Sequence, residues 1–377
     1  MNLLVFSESF YPEISGGSLT RWEFCKQAVR EGNKVTVITP RTANLPKKET
    51  VEGVEIRRPF KSIPESVPDY SSIAVVTRIF FSIFMFFYLI LYLHKRNMDG
   101  IHSVSHSLHW VAKILSMIYG IPLVSFVGYT VSVDSSWKPT PKFILESVNF
   151  RFFLGDSVFC RTEDIKNKID GSVKNVEIVH GILNKKKILN AYKELDKDFL
   201  RKALDINEKD IVLVYAGRLS ELKRPWKAVE QLKNLPDKYK LIVVGEGPEL
   251  NQTIRKSQNL DVYDRVRFTG QLPHKKTLKI IAFSDALILA SESESYSAVA
   301  LEKLAFGGHV FSTPVGILPK VDNHRLHLSN VNELSHKIYK TDLSGNTSID
   351  QDILHSYSME RYTEAILDEF EKLCKNK

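Results

Sequence analysis

Ala286-Leu287-Ile288-Leu289-Ala290-Ser291-Glu292-Ser293-Glu294-Ser295-Tyr296-Ser297-Ala298-Val299-Ala300-Leu301-Glu302-Lys303-Leu304-Ala305-Phe306-Gly307 passes through a buried strand, a loop of small residues and a helix. The strand ends near Leu289, Glu294 sits in the loop, and Glu302 falls in the early turns of the helix. Backbone N–H groups of Ser295, Tyr296 and Ser297 at the helix start can hold an anionic group, while the two carboxylates accept hydroxyls from a polyol ligand. A pair of solvated surface carboxylates is the alternative.

The same alternation of apolar strand and helical pattern runs outward in both directions, which predicts an α/β chain of parallel sheets covered by helices. In the first half the expected strands are Leu3–Phe6, Val35–Thr39, Ile101–Ser103, Leu123–Val127 and Val158–Cys160. Arg21 to Arg30 is helical between the first two, ending at Gly32-Asn33. The second half offers Ile211–Tyr215, Leu241–Val244, Val266–Phe268, Ala286–Leu289 and Val310–Ser312. A charged helical stretch, 185–204, is the expected hinge between two Rossmann-like units. In such sheets ligands bind at the carboxyl ends of the strands, so the loops there are where chemistry is sought.

At 377 residues, two domains are expected, and 43% hydrophobic with 25% charged residues is an ordinary globular composition. Three scattered cysteines, Cys25, Cys160 and Cys374, exclude a disulfide framework and a clustered zinc site, which points to a reducing, cytoplasmic setting. The +8 net charge favours anionic partners. Lys and Arg are scattered, without a basic helix or stacking motif, so nucleic acid is disfavoured. No targeting segment is expected, because Met1–Phe6 runs at once into Ser7-Glu8-Ser9. The 15-residue apolar stretch Ile79–Leu93, interrupted by Ser82, precedes His94-Lys95-Arg96. As a helix of about 22 Å it falls short of a roughly 30 Å hydrocarbon core. It is either buried in its own domain or dips one face into a membrane surface through 79–96.

Other loops after strands carry chemistry of the same kind. Gly16-Gly17 stand between the first strand and first helix, where backbone N–H groups can approach an anion. A plain tight turn is the alternative. Arg218 and Lys223 straddle a loop after Ile211–Tyr215 and can point at one diphosphate, unless they are ordinary surface cations. Gly245-Glu246-Gly247-Pro248 lacks the third glycine of a dinucleotide fingerprint, which disfavours a nicotinamide enzyme. His102 and His106 have no carboxylate at ligand spacing and are read as structural, and Asp196-Lys197-Asp198 as a chance string. No metal site is expected.

Together these motifs resemble the retaining, GT-B-fold glycosyltransferases of family 4. Glu294 and Glu302 match its Glu-x7-Glu motif, continued by Gly307, Thr313-Pro314 and Val315-Gly316. Gly16-Gly17, Gly217-Arg218-Leu219 with Lys223, Gly245-Glu246-Gly247-Pro248 and Val266-Arg267-Phe268-Thr269-Gly270 fall in the family's order, and Tyr357–Arg361 looks like the start of its last helix. Three positions depart from the pattern. Phe126-Val127-Gly128-Tyr129-Thr130 lacks the histidine common there, Ser295-Tyr296-Ser297 replaces a small-aromatic-Gly sequence, and Lys320 stands where an acidic residue often does.

The resemblance implies a GT-B fold: two Rossmann-like parallel-sheet domains facing a cleft, with the C-terminal helix crossing back. The expected domains are 1–184 on the acceptor side, 185–357 for the nucleotide sugar with 185–204 as linker, and 358–377 as the returning helix. It implies metal-independent transfer of a sugar, with retention, from a nucleotide diphosphate sugar to a hydroxyl, and a lipid-linked saccharide or other glycan is the expected acceptor. Glu294, Arg218 and Lys223 are implied as catalytic, and Gly16, Gly17, Gly247, Ser295, Tyr296, Ser297 and Glu302 as substrate-binding. Gly16-Gly17 are implied to complete the diphosphate site from the opposite domain. No cofactor is implied, the nucleotide sugar being a substrate. The chain is expected in the cytoplasm, at a membrane's cytoplasmic face if 79–96 attaches there. A catalytically inactive protein of this fold that binds nucleotide or membrane is the rival.

Overall fold

The computed structural model describes residues 1–12, 16–41, 45–61, 72–128, 141–169, 171, 173, 175–294, 296–343 and 348–375. Its contacts divide the chain into Met1–Gly181 with Met359–Lys377, and Ile182–Ser358.

In the first unit the strands are β1 (Asn2–Phe6), β2 (Lys34–Ile38), β3 (Lys48–Val51), β4 (Val54–Arg57), β5 (Gly100–Ser103), β6 (Leu123–Val127), β7 (Ser157–Cys160) and β8 (Val176–Ile178). They lie in the order β3-β4-β2-β1-β5-β6-β7-β8. Side chains alternate across β1, as a strand covered on both faces requires. Leu3 and Val5 pack with Trp22, Phe24 and Cys25 of the helix Gly16–Arg30 and with Ile366 and Phe370. Leu4 and Phe6 pack with Met85, Leu89 and Leu115 on the other face. The sheet is parallel except at β3 and β4, an antiparallel pair that sequence reading missed. Lys48, Glu49 and Thr50 give that edge strand no apolar run, and charge is how an exposed edge avoids pairing with other chains. β8 and the strand Leu326–Leu328 of the second unit, also missed, are three-residue pieces.

The apolar helix is longer than the stretch that signals it, Ser72–Leu93. Met85, Leu89 and Leu93 recur every fourth residue on its buried face, while Phe80, Phe84, Phe87 and Leu91 keep 60%, 59%, 60% and 68% of their surface exposed. Trp110 and Tyr119 of the helix His109–Tyr119 donate to Ser82 Oγ (3.1 Å) and Ile90 O (2.9 Å), fixing the two helices together. Among the described residues, no helix is long and apolar enough to cross a membrane.

The final helix, Met359–Lys375, belongs to the first unit. Tyr362, Ile366 and Phe370 bury its inner face at fourfold spacing, and a Cβ at Gly100 would stand 2.6 Å from the Phe370 ring. Glu369, buried on the same helix, accepts from Asn175 Nδ2 (3.0 Å) and from Ser157 Oγ. His102 is fully buried with Nδ1 3.0 Å from Val124 O, and desolvation pushes its pKa down to about 4.

The second unit holds β9 (Ile211–Ala216), β10 (Tyr239–Val244), β11 (Val266–Gly270), β12 (Ala286–Leu289), β13 (His309–Ser312) and β14 (Leu326–Leu328), all parallel, in the order β11-β10-β9-β12-β13-β14. Here too one strand feeds two cores: Val212 and Val214 of β9 face one cluster, Leu213 and Tyr215 the other.

The expected boundaries shift by a few residues, and 185–204 is no linker. Ile182 N and Leu183 N both donate to Tyr357 O, so 182–184 belong to the second unit. The stretch 185–204 forms two helices, Lys185–Lys193, which buries Ile188 and Ala191 in the second unit's core, and Lys197–Ala203, whose Leu200 packs partly buried against it. Asp196 of the Asp-x-Asp string caps the second helix, accepting from Phe199 N at 2.9 Å.

Candidate active site

Strand order decides which loops meet. In the second unit the chain winds from β9 toward β10 on one side and resumes with β12 on the other, so the loops after β9 and β12 leave adjacent carboxyl ends at a topological switch point. The first carries Gly217, Arg218 and Lys223, and the second carries Ser291 to Ser297.

Lys223 Nζ stands 3.1 Å from Glu294 Oε1, and Ser291 Oγ donates to the same oxygen at 3.0 Å. Glu294 keeps only 9% of its side chain exposed. Arg224, absent from the sequence-derived candidates, ties the two loops from the other side by donating from Nε to Ala290 O at 2.8 Å. Arg218 is exposed. Tyr215 lies buried beneath, and desolvation first, then the Glu294 carboxylate, raises its pKa well above the ordinary phenol value.

Gly245 and Gly247 follow β10, where backbone packs closely against backbone. A Cβ on Gly245 would lie 1.9 Å from Gly217 O, and one on Gly247 would lie 2.3 Å from Leu219 O. Leu219 N donates to Glu246 O at 2.9 Å and Glu249 N to Leu219 O at 3.0 Å, so this loop backs the Gly217–Leu219 loop. Side chains are excluded there for a steric reason.

The helix Ala298–Ala305 begins immediately after Ser297, which adopts φ +57°, ψ +50°. That left-handed conformation explains why a glycine suits this position, and a serine there carries strain. Ser297 and Tyr296 are buried. Ser295 lies outside the described residues. One turn into the helix, Glu302 is 13% exposed and meets His274 Nε2 at 2.8 Å. His274 opens the helix His274–Phe283 and carried no motif signal in the sequence.

In the first unit, Gly16 and Gly17 are the first residues of the helix Gly16–Arg30, which therefore starts five residues before its expected beginning. Arg21 Nη1 donates to Ser9 O (3.0 Å) and Ser9 Oγ (2.8 Å), and Arg58 Nη2 to Tyr11 O (3.0 Å), holding Ser9 and Tyr11 after β1. Tyr129 and Thr130, in the stretch lacking the family histidine, lie outside the described residues.

Comparisons with known proteins agree with this architecture. Residues 196–329 match the family model described as Glycosyl transferases group 1. The chain is 29% identical over 153 residues to N-acetyl-alpha-D-glucosaminyl L-malate synthase of Bacillus anthracis, covering 40% of this chain and 39% of that protein. It is 25% identical over 329 residues to alpha-monoglucosyldiacylglycerol synthase of Streptococcus pneumoniae, covering 83% of this chain and 71% of that one. Among solved structures, Anabaena HepE in complex with UDP superposes with TM-score 0.73 at 15% identity, covering 99% of this chain and 100% of that one. Sucrose-phosphate synthase from Thermosynechococcus elongatus gives 0.68 at 16% identity, covering 100% and 96%. The chain has the GT-B fold, and its residues 196–329 match the glycosyl transferases group 1, the family its motifs resemble.

Proposed function

We propose that the chain transfers a sugar from a nucleotide diphosphate sugar to a hydroxyl, with retention and without a metal ion. The meeting of Lys223 and Glu294 at the switch point of the second unit carries this reading. Arg218 and Lys223 stabilise the departing diphosphate, the electrostatic task that a cation would otherwise perform. Glu302 accepts ribose hydroxyls and Glu294 faces the donor sugar. Gly16 and Gly17, at a helix N-terminus, are offered to phosphate. HepE was solved with UDP, which supports a uridine donor.

The acceptor is proposed to be a lipid-linked saccharide at the cytoplasmic face of a membrane. Phe80, Phe84, Phe87 and Leu91 leave an apolar face in the open, with exposed Lys95 and Arg96 beside its end. Met117 and Ile118 of the neighbouring helix add to the exposed apolar surface. The similarity to a synthase of a glucosylated diacylglycerol supports a lipid-borne acceptor.

Incubation with UDP-sugars, GDP-sugars and membrane lipid extract after EDTA treatment tests the reading, with product anomers assigned by NMR. Metal-free transfer with retention is expected. Activity restored only by manganese or magnesium refutes metal independence, and nucleotide binding without any transfer favours the inactive-protein rival.

A further inference from the structure

His274 Nε2 and Glu302 Oε1 are 2.8 Å apart, with the Glu302 side chain 13% and the His274 side chain 53% exposed. A carboxylate only accepts, so this contact places the proton on Nε2. The helix that begins with His274 is held at its other end as well. Lys303, fully buried, donates to Ile281 O at 3.0 Å and to Ser284 O, the carbonyls closing that helix. Two consecutive residues, Glu302 and Lys303, thus grip the two ends of His274–Phe283. The backbone that carries His274 is therefore held in place relative to the carboxylate.

We propose that His274 is the positioning residue of the nucleotide ribose subsite, holding Glu302 so that this chain selects ribonucleotides over 2′-deoxyribonucleotides. The proposal rests on the reading of Glu302 as ribose acceptor. Engaged through Oε1, the carboxylate keeps Oε2 for sugar hydroxyls and cannot turn away to water. A ligand lacking one hydroxyl then leaves a partly buried acceptor unpaired, which is how a polar site rejects a deoxy analogue. Without the imidazole, Glu302 is released to rotate toward solvent, and the deoxy ligand is no longer penalised.

The test titrates the full chain calorimetrically with UDP, GDP and their 2′-deoxy forms, scoring the base that wild type binds more tightly, for wild type, Glu302→Ala, His274→Ala and His274→Gln. Wild type is expected to favour the ribonucleotide at least about ten-fold, equivalent to about 1.4 kcal/mol. His274→Ala should weaken ribonucleotide binding about ten-fold and bring the ratio to within about threefold, raising donor KM with kcat little changed. His274→Gln, which retains an N–H donor, should restore most of the ratio. If Glu302→Ala weakens the ribonucleotide while His274→Ala keeps the wild-type ratio, the positioning role is overturned and the Glu302 reading stands. An equal loss for both ligand forms in His274→Ala overturns it likewise. Unchanged binding in Glu302→Ala, or no nucleotide bound by wild type, overturns the ribose reading itself.

Discussion

Lys223 Nζ lies 3.1 Å from Glu294 Oε1, so the cation read as the diphosphate ligand and the carboxylate read as the sugar ligand form one ion pair. Each therefore sets the position of the other across two loops that are separated by some seventy residues of sequence but leave neighbouring strands. Lys223→Ala should lower turnover by about 10²- to 10³-fold, the usual cost of losing one electrostatic donor at developing charge. Lys223→Arg should recover part of it. Steady-state kinetics decide this, and wild-type turnover in Lys223→Ala would remove the residue from the reaction.

The two glutamates should differ in kind when replaced. Glu302→Ala removes a charged acceptor from a nucleotide site and should weaken nucleoside diphosphate binding by about 1.5–3 kcal/mol. Glu294→Ala should depress turnover more than it weakens binding of the bare nucleotide, the mark of an interaction made chiefly in the transition state. Calorimetry and kinetics on the same preparations separate the two effects. Identical profiles would contradict the assigned roles.

Ser297 holds φ +57° in a buried position, and its Oγ has no hydrogen-bond partner among the described residues. Ser297→Gly relieves left-handed strain of about 1–2 kcal/mol, part of which is offset by the greater freedom of glycine in the unfolded chain. A net gain of about 0.5–1 kcal/mol is expected in denaturant titration. A loss of stability would show that the hydroxyl supports the fold.

His309 and His327 stack with Nδ1 and Nε2 3.1 Å apart, a contact that needs one ring to donate and the other to accept. Burial, then His327 and the nearby Arg325, Lys303 and His324, push the His309 pKa down to about 4, and His327 is lowered as well, by burial and then Lys337 and His324. Between that value and the ordinary 6.5 the unfolded chain binds more protons, so stability falls as pH drops through this window. Because the ring is half exposed, the contribution of His309 is discounted to about 1 kcal/mol. Urea midpoints at pH 4.5 and 7 should differ less in His309→Gln than in wild type.

Phe80, Phe84 and Phe87 are mostly exposed, so replacing all three by Ser should spare the fold. Wild type is expected to float with anionic liposomes at low salt, and the triple variant should bind at least about ten-fold more weakly through lost apolar burial. Lys95→Glu with Arg96→Glu should weaken binding to anionic vesicles specifically. If wild type stays unbound at low salt, the lipid-linked acceptor loses its support.

Periodicity and composition determined the parts of this protein that local physics sets. Apolar runs such as Leu3–Phe6 and Ala286–Leu289 mark strands covered on both faces, and the motifs after them mark loops at carboxyl ends, because side-chain direction and turn chemistry act over a few residues. Edge strands escaped notice since Lys48–Val51 is polar and β14 is short. The charged stretch 185–204 looked like a linker because its helices bury few side chains, and only their packing on the second core showed otherwise. Tertiary structure alone decided what meets what. Strand order puts Lys223 beside Glu294, backbone crowding demands glycine at 245 and 247, and helix packing delivers the motif-free His274 to Glu302. These are contacts between residues far apart in sequence, set by the order in which strands pair, and no local pattern encodes that order.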